Sequence, residues 1–565
     1  MRLKIAPFVL GACVVLNLLA LPPQAAHAQI RLPALGEAEA DSFSIGDEKK
    51  VGEQIMREIR PDPDVIDDPL LLEYLQSVFQ PLFQAAKRRG DISPEMEAAF
   101  GWEPFLVRDR TFNAFALPGG YIGVHLGLIA AAGSRDEMAS VLGHELSHIT
   151  QRHIARSMVA NKHQSIVAMA AVLLGLIATA KGGNPDLPAA ILTTGQASMA
   201  TGQLTFSRAM ESEADRFGLD VMTEAGFAPA GMAAMFERLE SASQLNDDNS
   251  YPWLRSHPLT IDRLAEARLR ARTVTPPDPA RSHITEHALM RARARALMDG
   301  SEPALRRMQA QGKVSLPMTD AERLGALYGG AVASILLRDF AQADAMITTA
   351  QGVLAQHAAK VAALSSGAAS GASAPAPGGP TDGSAPQRVD VVGTAGPLYP
   401  IEPVVARDFE LLRVDYAVAR RAAPEIVAAE TVVAADRTRP AVMARAQGAI
   451  ARAAARDPAG GTALQRSTEE LQTWVAEHPK DALAWSTLAQ CAEPLGLKLR
   501  AIRAEAESHA AQGDLIGAID RLRAGQQQSR GARSDFVEAS IIDSRLRELE
   551  AERRALQKEL RGDAG

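Results

Sequence analysis

Three histidines and one glutamate fall within eleven residues, "GHELSHITQRH", at positions 143–153. At about 100° of rotation per helical residue, His144 and His148 share one face, four positions apart. Glu145 sits about a quarter turn from His144, beside that face. His153 falls nearly opposite His144 and cannot join the pair unless the helix breaks. Neutral imidazoles suit zinc, and two from one helix leave room for a third ligand and a water. Zinc lowers the pKa of water and polarises a carbonyl, while an adjacent carboxylate accepts the proton. The pattern points to His144 and His148 as ligands of one Zn2+ per chain, with Glu145 as the base.

Such a pair needs a rigid helix and a partner element. "GSRDEMASVLGHELSHITQRHIARSM" opens with Ser134 and Glu137 in capping-box spacing before an apolar period, which predicts a helix over 135–158. "LTFSRAMESEADRFGLDVMTEAG" (204–226) reads as a second helix, ended near Gly226. There Glu211 and Asp215 lie i, i+4 on one face, and Glu213 points away from Glu211. Glu211 can reach the metal while Asp215 accepts the second N–H of a ligand histidine and fixes its tautomer. A solvated acidic face is the other reading of that cluster. Upstream, Asp68 and Pro69 mark a helix start, and "LPGG" between branched and aromatic residues marks a hairpin.

"HELSH" followed some sixty residues later by "ESEAD" resembles the zinc metallopeptidases that include CAAX prenyl proteases and the bacterial heat-shock protease of the inner membrane. Their pattern, His-Glu-x-x-His then Glu-x-x-x-Asp, implies His144, His148 and Glu211 as ligands, Glu145 as base and Asp215 behind them. It also implies an α+β zincin-like fold of gluzincin type, mainly helical, over residues 42–272. "FNAFALPGGYIGVHLGLI" is similar to the hairpin before the family's metal helix, which implies an edge strand facing substrate. "SHPLTIDR" resembles a loop that brings a histidine, here His257, to the fourth metal position. In its own right His257 precedes Pro258, which biases it away from helix and leaves open a histidine that merely caps the next helix, near 259–272. The resemblance implies a catalytic-site role, either displacing the attacking water or stabilising the tetrahedral intermediate.

At 565 residues the chain exceeds one hydrophobic core, and its net charge of −7 argues against general nucleic-acid binding. "MRLK", an apolar run and "AHA" read as a signal peptide over residues 1–28. Cys13 would leave with it, so Cys491 has no partner for a disulfide within the mature chain. The uncharged stretch 165–180 is short for a membrane span and reads as a buried helix or as an apolar flap touching a membrane surface or client chains.

From about 280 strand signals vanish. "RDFAQADAMI" (338–347) and "GDLIGAIDRL" (513–522) resemble each other, and "LAWSTLAQCAEPLG" has tetratricopeptide texture. Residues 280–364 and 399–565 therefore read as an all-α tetratricopeptide-like solenoid, with an unrelated helical bundle as the alternative. The Ala-, Gly-, Ser- and Pro-rich stretch within 365–398 reads as a disordered insertion. Signal, catalytic domain and repeats together are similar to exported family members of the periplasm. That likeness implies unfolded or misassembled outer-membrane proteins as clients and the outer-membrane assembly machinery as a partner of the repeats. The competing class is a non-proteolytic chaperone or scaffold.

Overall fold

The computed structural model describes residues 43–160, 207–245, 251–273, 283–314, 317–370, 400–530 and 535–562. The signal segment, the apolar stretch 165–180 and residues 371–398 of the expected insertion lie outside them. Residues 365–370 fall inside a helix rather than in the insertion, continuing the Ala-rich run that precedes them.

The first half begins with α1 (Ile45–Ile59), β1 (Val65–Ile66), α2 (Pro69–Arg89) and α3 (Pro94–Ala99). There follow β2 (Glu103–Val107), β3 (Ala114–Leu117), β4 (Tyr121–His125), α4 (Leu126–Ala131) and α5 (Arg135–Thr150). Next come α6 (His153–Ala160), α7 (Arg208–Glu224), α8 (Ala230–Leu245), α9 (Trp253–Ser256) and α10 (Ile261–Thr273). Asp68 caps α2 as its spacing predicts, its Oδ1 accepting from the Leu71 amide at 3.0 Å with Pro69 in the first turn.

The four strands order as β1-β2-β4-β3, with β2 and β4 parallel and the other pairs antiparallel. β3 and β4 form the hairpin that "LPGG" predicts, turning through Gly119 (φ 79°) and Gly120 (φ 89°), a region that other residues enter at a cost. This order leaves β3 on the edge, beside α5.

α5 is the metal helix. Ser134 caps it, its Oγ accepting from the Glu137 amide at 3.1 Å. The reciprocal half of the expected capping box is absent. The Glu137 carboxylate instead accepts from the Gly133 amide at 2.7 Å and pairs with Arg238. The single helix predicted over 135–158 is also two. It ends at Thr150, and Arg152 takes a left-handed φ of 54° before α6 begins. Neither Gly nor Pro marks that break, so periodicity runs straight through it.

α7 crosses α5 where Gly218 meets Gly143. A Cβ on Gly218 would lie 2.9 Å from the His144 amide nitrogen and 3.1 Å from the Gly143 carbonyl oxygen. Two glycines therefore let the backbones touch, and that approach carries the acidic face of α7 to the histidines.

No strand occurs among the described residues beyond β4. The second half comprises α11 (Ile284–Met298), α12 (Glu302–Lys313), α13 (Asp320–Leu336), α14 (Phe340–Ser370), α15 (Pro403–Arg420) and α16 (Ala423–Val432). It continues through α17 (Arg439–Ala454), α18 (Gly460–Glu477), α19 (Ala482–Ala492), α20 (Lys498–Gln512), α21 (Leu515–Ser529) and α22 (Phe536–Gly562).

The two similar stretches share one turn. Arg338 and Gly513 are both left-handed, and the Asp339 and Asp514 amides reach back to Ser334 and His509 carbonyls at 2.8 and 2.9 Å. Each aspartate then caps the next helix, accepting from the Gln342 and Gly517 amides. One apolar core runs from Leu70 through Tyr328 to Phe409, so the first of these helices pack onto the sheet half. Buried His287 fixes that join, bonding the Tyr74 hydroxyl at 2.6 Å and the Ala132 carbonyl at 3.0 Å.

The glycine crossing makes a specific demand. Gly218→Ala adds about 1 kcal/mol of helix propensity, yet its methyl forces α5 and α7 apart. The expected result is lower thermal stability together with weaker zinc binding, measured by calorimetry and chelator competition. A variant at least as stable as the parent, with unchanged zinc affinity, would show that the contact is not needed.

Candidate metal centre

His144, His148, Glu211 and His257 converge so that one donor atom from each lies within 4.8 Å of the others, and all four are buried. His144 Nε2 lies 3.0 Å from His148 Nε2 and 3.2 Å from His257 Nδ1. Glu211 Oε1 is 2.9 Å from His257 Nδ1 and 3.6 Å from His148 Nε2. Donors at about 2.0–2.2 Å from a shared tetrahedral zinc stand about 3.3–3.6 Å apart, close to these separations.

Protonation agrees with ligation. The Nδ1–H of His144 donates to Asp215 Oδ1 at 2.9 Å, which leaves its Nε2 a bare lone pair aimed at the other donors. Burial lowers the pKa of His144 and of His148, and it takes His257 down to about 4. Neutral imidazole is the form that binds metal. Glu211 Oε2 is buried without a hydrogen bond; a guanidinium nitrogen of Arg263 stands 2.9 Å away but outside bonding geometry. The other oxygen, Oε1, faces the imidazoles of His257 and His148 and so borders the shared space between the donors. The residues present fit a metal ion, and imidazole with carboxylate suits zinc.

Glu145 is completely buried, and burial raises its pKa. Both of its oxygens are engaged. Oε1 accepts from the Trp253 indole at 2.9 Å and Oε2 from the Ala116 amide of edge strand β3 at 3.1 Å. Its Oε1 also stands 3.6 Å from His257 Nε2.

His257 does not cap α10; it ends α9 and turns inward, stacked on Trp253 at 4.9 Å between ring centroids. Arg263 on α10 grips Asp215 through two hydrogen bonds, 2.6 and 2.8 Å, and donates to the Pro258 carbonyl at 2.8 Å. Burial works against ionisation of Asp215, but the bonds from Arg263 and His144 outweigh it and hold its pKa at about 2.

His144, Glu145, His148, Glu211 and Asp215, which type and spacing single out, thus meet in one place with His257, which the resemblance implies. Trp253 and Arg263 were not foreseen. The available signal was their position in "PWLRSHPLTIDR", one turn before and six residues after His257. His153 was set aside on helix phase, yet the break at Arg152 returns it behind His148, with Nδ1 atoms 2.9 Å apart. Its Nε2 lies 3.0 Å from Glu213, which also pairs with Arg156.

Over residues 69–271 the sequence matches the model of Peptidase family M48. This stretch is an M48 peptidase domain. The M48 domain spans the sheet from β2 onward, the metal helix and the whole donor set. The chain is 33% identical over 342 residues to a putative beta-barrel assembly-enhancing protease of Vibrio cholerae, covering 60% of this chain and 66% of that protein. It is 31% identical over 258 residues to the beta-barrel assembly-enhancing protease of Escherichia coli, covering 45% of this chain and 50% of that one. A mitochondrial metalloendopeptidase, OMA1 of Schizosaccharomyces pombe, is 37% identical over 142 residues, 25% of this chain and 38% of its own. The chain thus spans one half to about two thirds of the bacterial relatives' length.

The ligand set is open to test by metal analysis. Glu211→Gln should strip zinc almost completely, whereas Glu213→Gln, which touches no donor atom of the cluster, should leave most of it bound. Asp215→Ala should weaken binding by about 10–100-fold. A larger loss from Glu213→Gln than from Glu211→Gln would reverse the assignment of the α7 face.

Proposed function

We propose that this chain is a zinc-dependent endopeptidase of the periplasm that cleaves misfolded or stalled outer-membrane proteins. The observation that carries the peptidase reading is the convergence of His144, His148 and Glu211 with Glu145 alongside, inside an M48 domain. The beta-barrel assembly-enhancing proteases it resembles support the client class. The signal-like residues 1–28 support export. Among the described residues no helix is long and apolar enough to cross a membrane.

When bound, zinc supplies Lewis acidity, activating a water and polarising the scissile carbonyl. Glu145 accepts the proton of that water and passes it to the leaving amine, and its burial moves its pKa towards neutrality for that task. Asp215 keeps His144 in the tautomer whose Nε2 is free. The outer edge of β3 offers backbone pairing to an extended client.

With His257 in place the donor set is a closed four, and catalytic zinc sites keep a position open. We read His257 as a plug. Its withdrawal opens the fourth position, and the Trp253 indole leaves Glu145 in the same movement. The helices beyond residue 283 are read as a tetratricopeptide-like solenoid. Its recurrent turns and the buried Trp485, Leu488 and Ala489 of α19 support that reading. This surface would bind clients or the outer-membrane assembly machinery. The closed four-donor set also favours a second reading, a scaffold with structural zinc, in which Glu145 has no task.

Two measurements separate these readings. Glu145→Gln should retain zinc and lose casein cleavage by at least about 100-fold; equal cleavage would sink the assignment of the base. His257→Ala should keep zinc on the remaining three ligands and raise basal proteolysis, self-cleavage included. A fall in peptide hydrolysis at unchanged zinc content would give His257 the alternative role, stabilising the tetrahedral intermediate.

A further inference from the structure

Arg152 adopts a conformation that costs an ordinary residue about 1–2 kcal/mol, in a segment with no glycine. Something must hold it there. Its guanidinium reaches back to α1, donating to the buried carboxylate of Glu48 at 2.6 Å and to the Phe43 carbonyl. The consequence is the placement of His153. In an unbroken helix its ring would point about 180° away from His144. Instead it is fully buried with Nδ1 2.9 Å from His148 Nδ1, and its Nε2 is 3.0 Å from Glu213 Oε2.

Only one proton arrangement satisfies both contacts when His148 offers Nε2 to a metal. The Nδ1–H of His148 donates to His153 Nδ1, and the Nε2–H of His153 donates to Glu213. Glu213 Oε2 also accepts from Arg156 at 2.9 Å, so it stands as the acceptor at the end of both contacts. His144 has the equivalent support directly, from Asp215. The two ligand histidines are thus backed by carboxylates of the same helix, α7, one at first hand and one through an intervening ring.

We propose that His153 and Glu213 are positioning residues of the metal site, a two-step relay that fixes the tautomer and orientation of His148, and that the Arg152–Glu48 clip exists to deliver it. The relay rests on the metal-site reading above but not on proteolysis. Outer partners of this kind affect metal affinity by about 10–100-fold.

The test uses the full mature chain and zinc alone, with the dissociation constant read by competition against a chromophoric chelator. His153→Phe keeps a buried ring but can neither accept nor donate, and it should weaken zinc about 10-fold or more. Glu213→Gln should weaken it by less, since its amide oxygen still accepts. Because the two act in series, the double variant should bind no worse than His153→Phe. His153→Gln, whose amide can accept from His148 and donate to Glu213, should restore most of the affinity. Thermal midpoints of the zinc-free proteins provide the control, because a merely structural pair would lower them and leave the zinc constant unchanged. That outcome, or additive losses in the double variant, would overturn the relay. A parent chain that binds no zinc would overturn the metal site itself.

Discussion

The charge balance around Arg263 is the constraint on which the centre depends. Glu145, Glu211 and Asp215 are brought into one buried cluster, where isolated carboxylates would take up protons or force the helices apart. One guanidinium, itself only 7% exposed, answers two of them from α10. It also holds the Pro258 carbonyl and lies over the Trp253 and Phe236 rings. A single cation therefore ties together the acidic face of α7, the loop bearing His257 and the aromatic wall of the site. Its hydrogen bonds to carboxylate go to Asp215, while Glu211 Oε2 stands 2.9 Å from it without one.

The metal pair was legible because helix geometry is local. A spacing of four from His144 to His148, and of four from Glu211 to Asp215, determines which side chains share a face, whatever packs on them. The meeting of the two faces was legible only as a need, because the Gly143–Gly218 crossing depends on atoms 75 residues apart in the chain. The helix break at Arg152 was not legible at all. A left-handed arginine is stabilised by a tertiary ion pair to Glu48, and no local preference announces it. Residue phase therefore excluded His153 for a sound reason that the tertiary structure overrides. His257 was placed by likeness to other proteins; its own neighbours, Ser256 and Pro258, suggested only a loop. The halved capping box at Ser134 has a similar cause, since Arg238 and the Gly133 amide compete for Glu137.

The second half of the chain reads as helix from composition, but its attachment to the first half does not. Buried and partly buried ion pairs tie it down, Arg135 to Glu286, Arg293 to Asp68 and Arg439 to Asp67. Asp68 serves two masters, capping α2 and receiving Arg293, so the start of α2 and the seating of α11 are one structural event. With Leu289 and Met290 of α11 in the same core as Leu71 and Leu75 of α2, the peptidase half does not end in a free linker at residue 273. This attachment sets the position of the first of these helices relative to α2 and the sheet.

Opening the centre has to break several contacts together. The indole of Trp253 stacks on His257 and donates to Glu145, while the backbone after His257 hangs on Arg263. Withdrawing the histidine without the tryptophan would leave the base blocked, and moving the tryptophan alone would strip His257 of its stacked partner. Each such contact contributes about 0.5–1.5 kcal/mol net, so withdrawal of His257 forfeits a few of them at once. The one indole therefore couples the two groups, so the position of His257 and access to Glu145 change together.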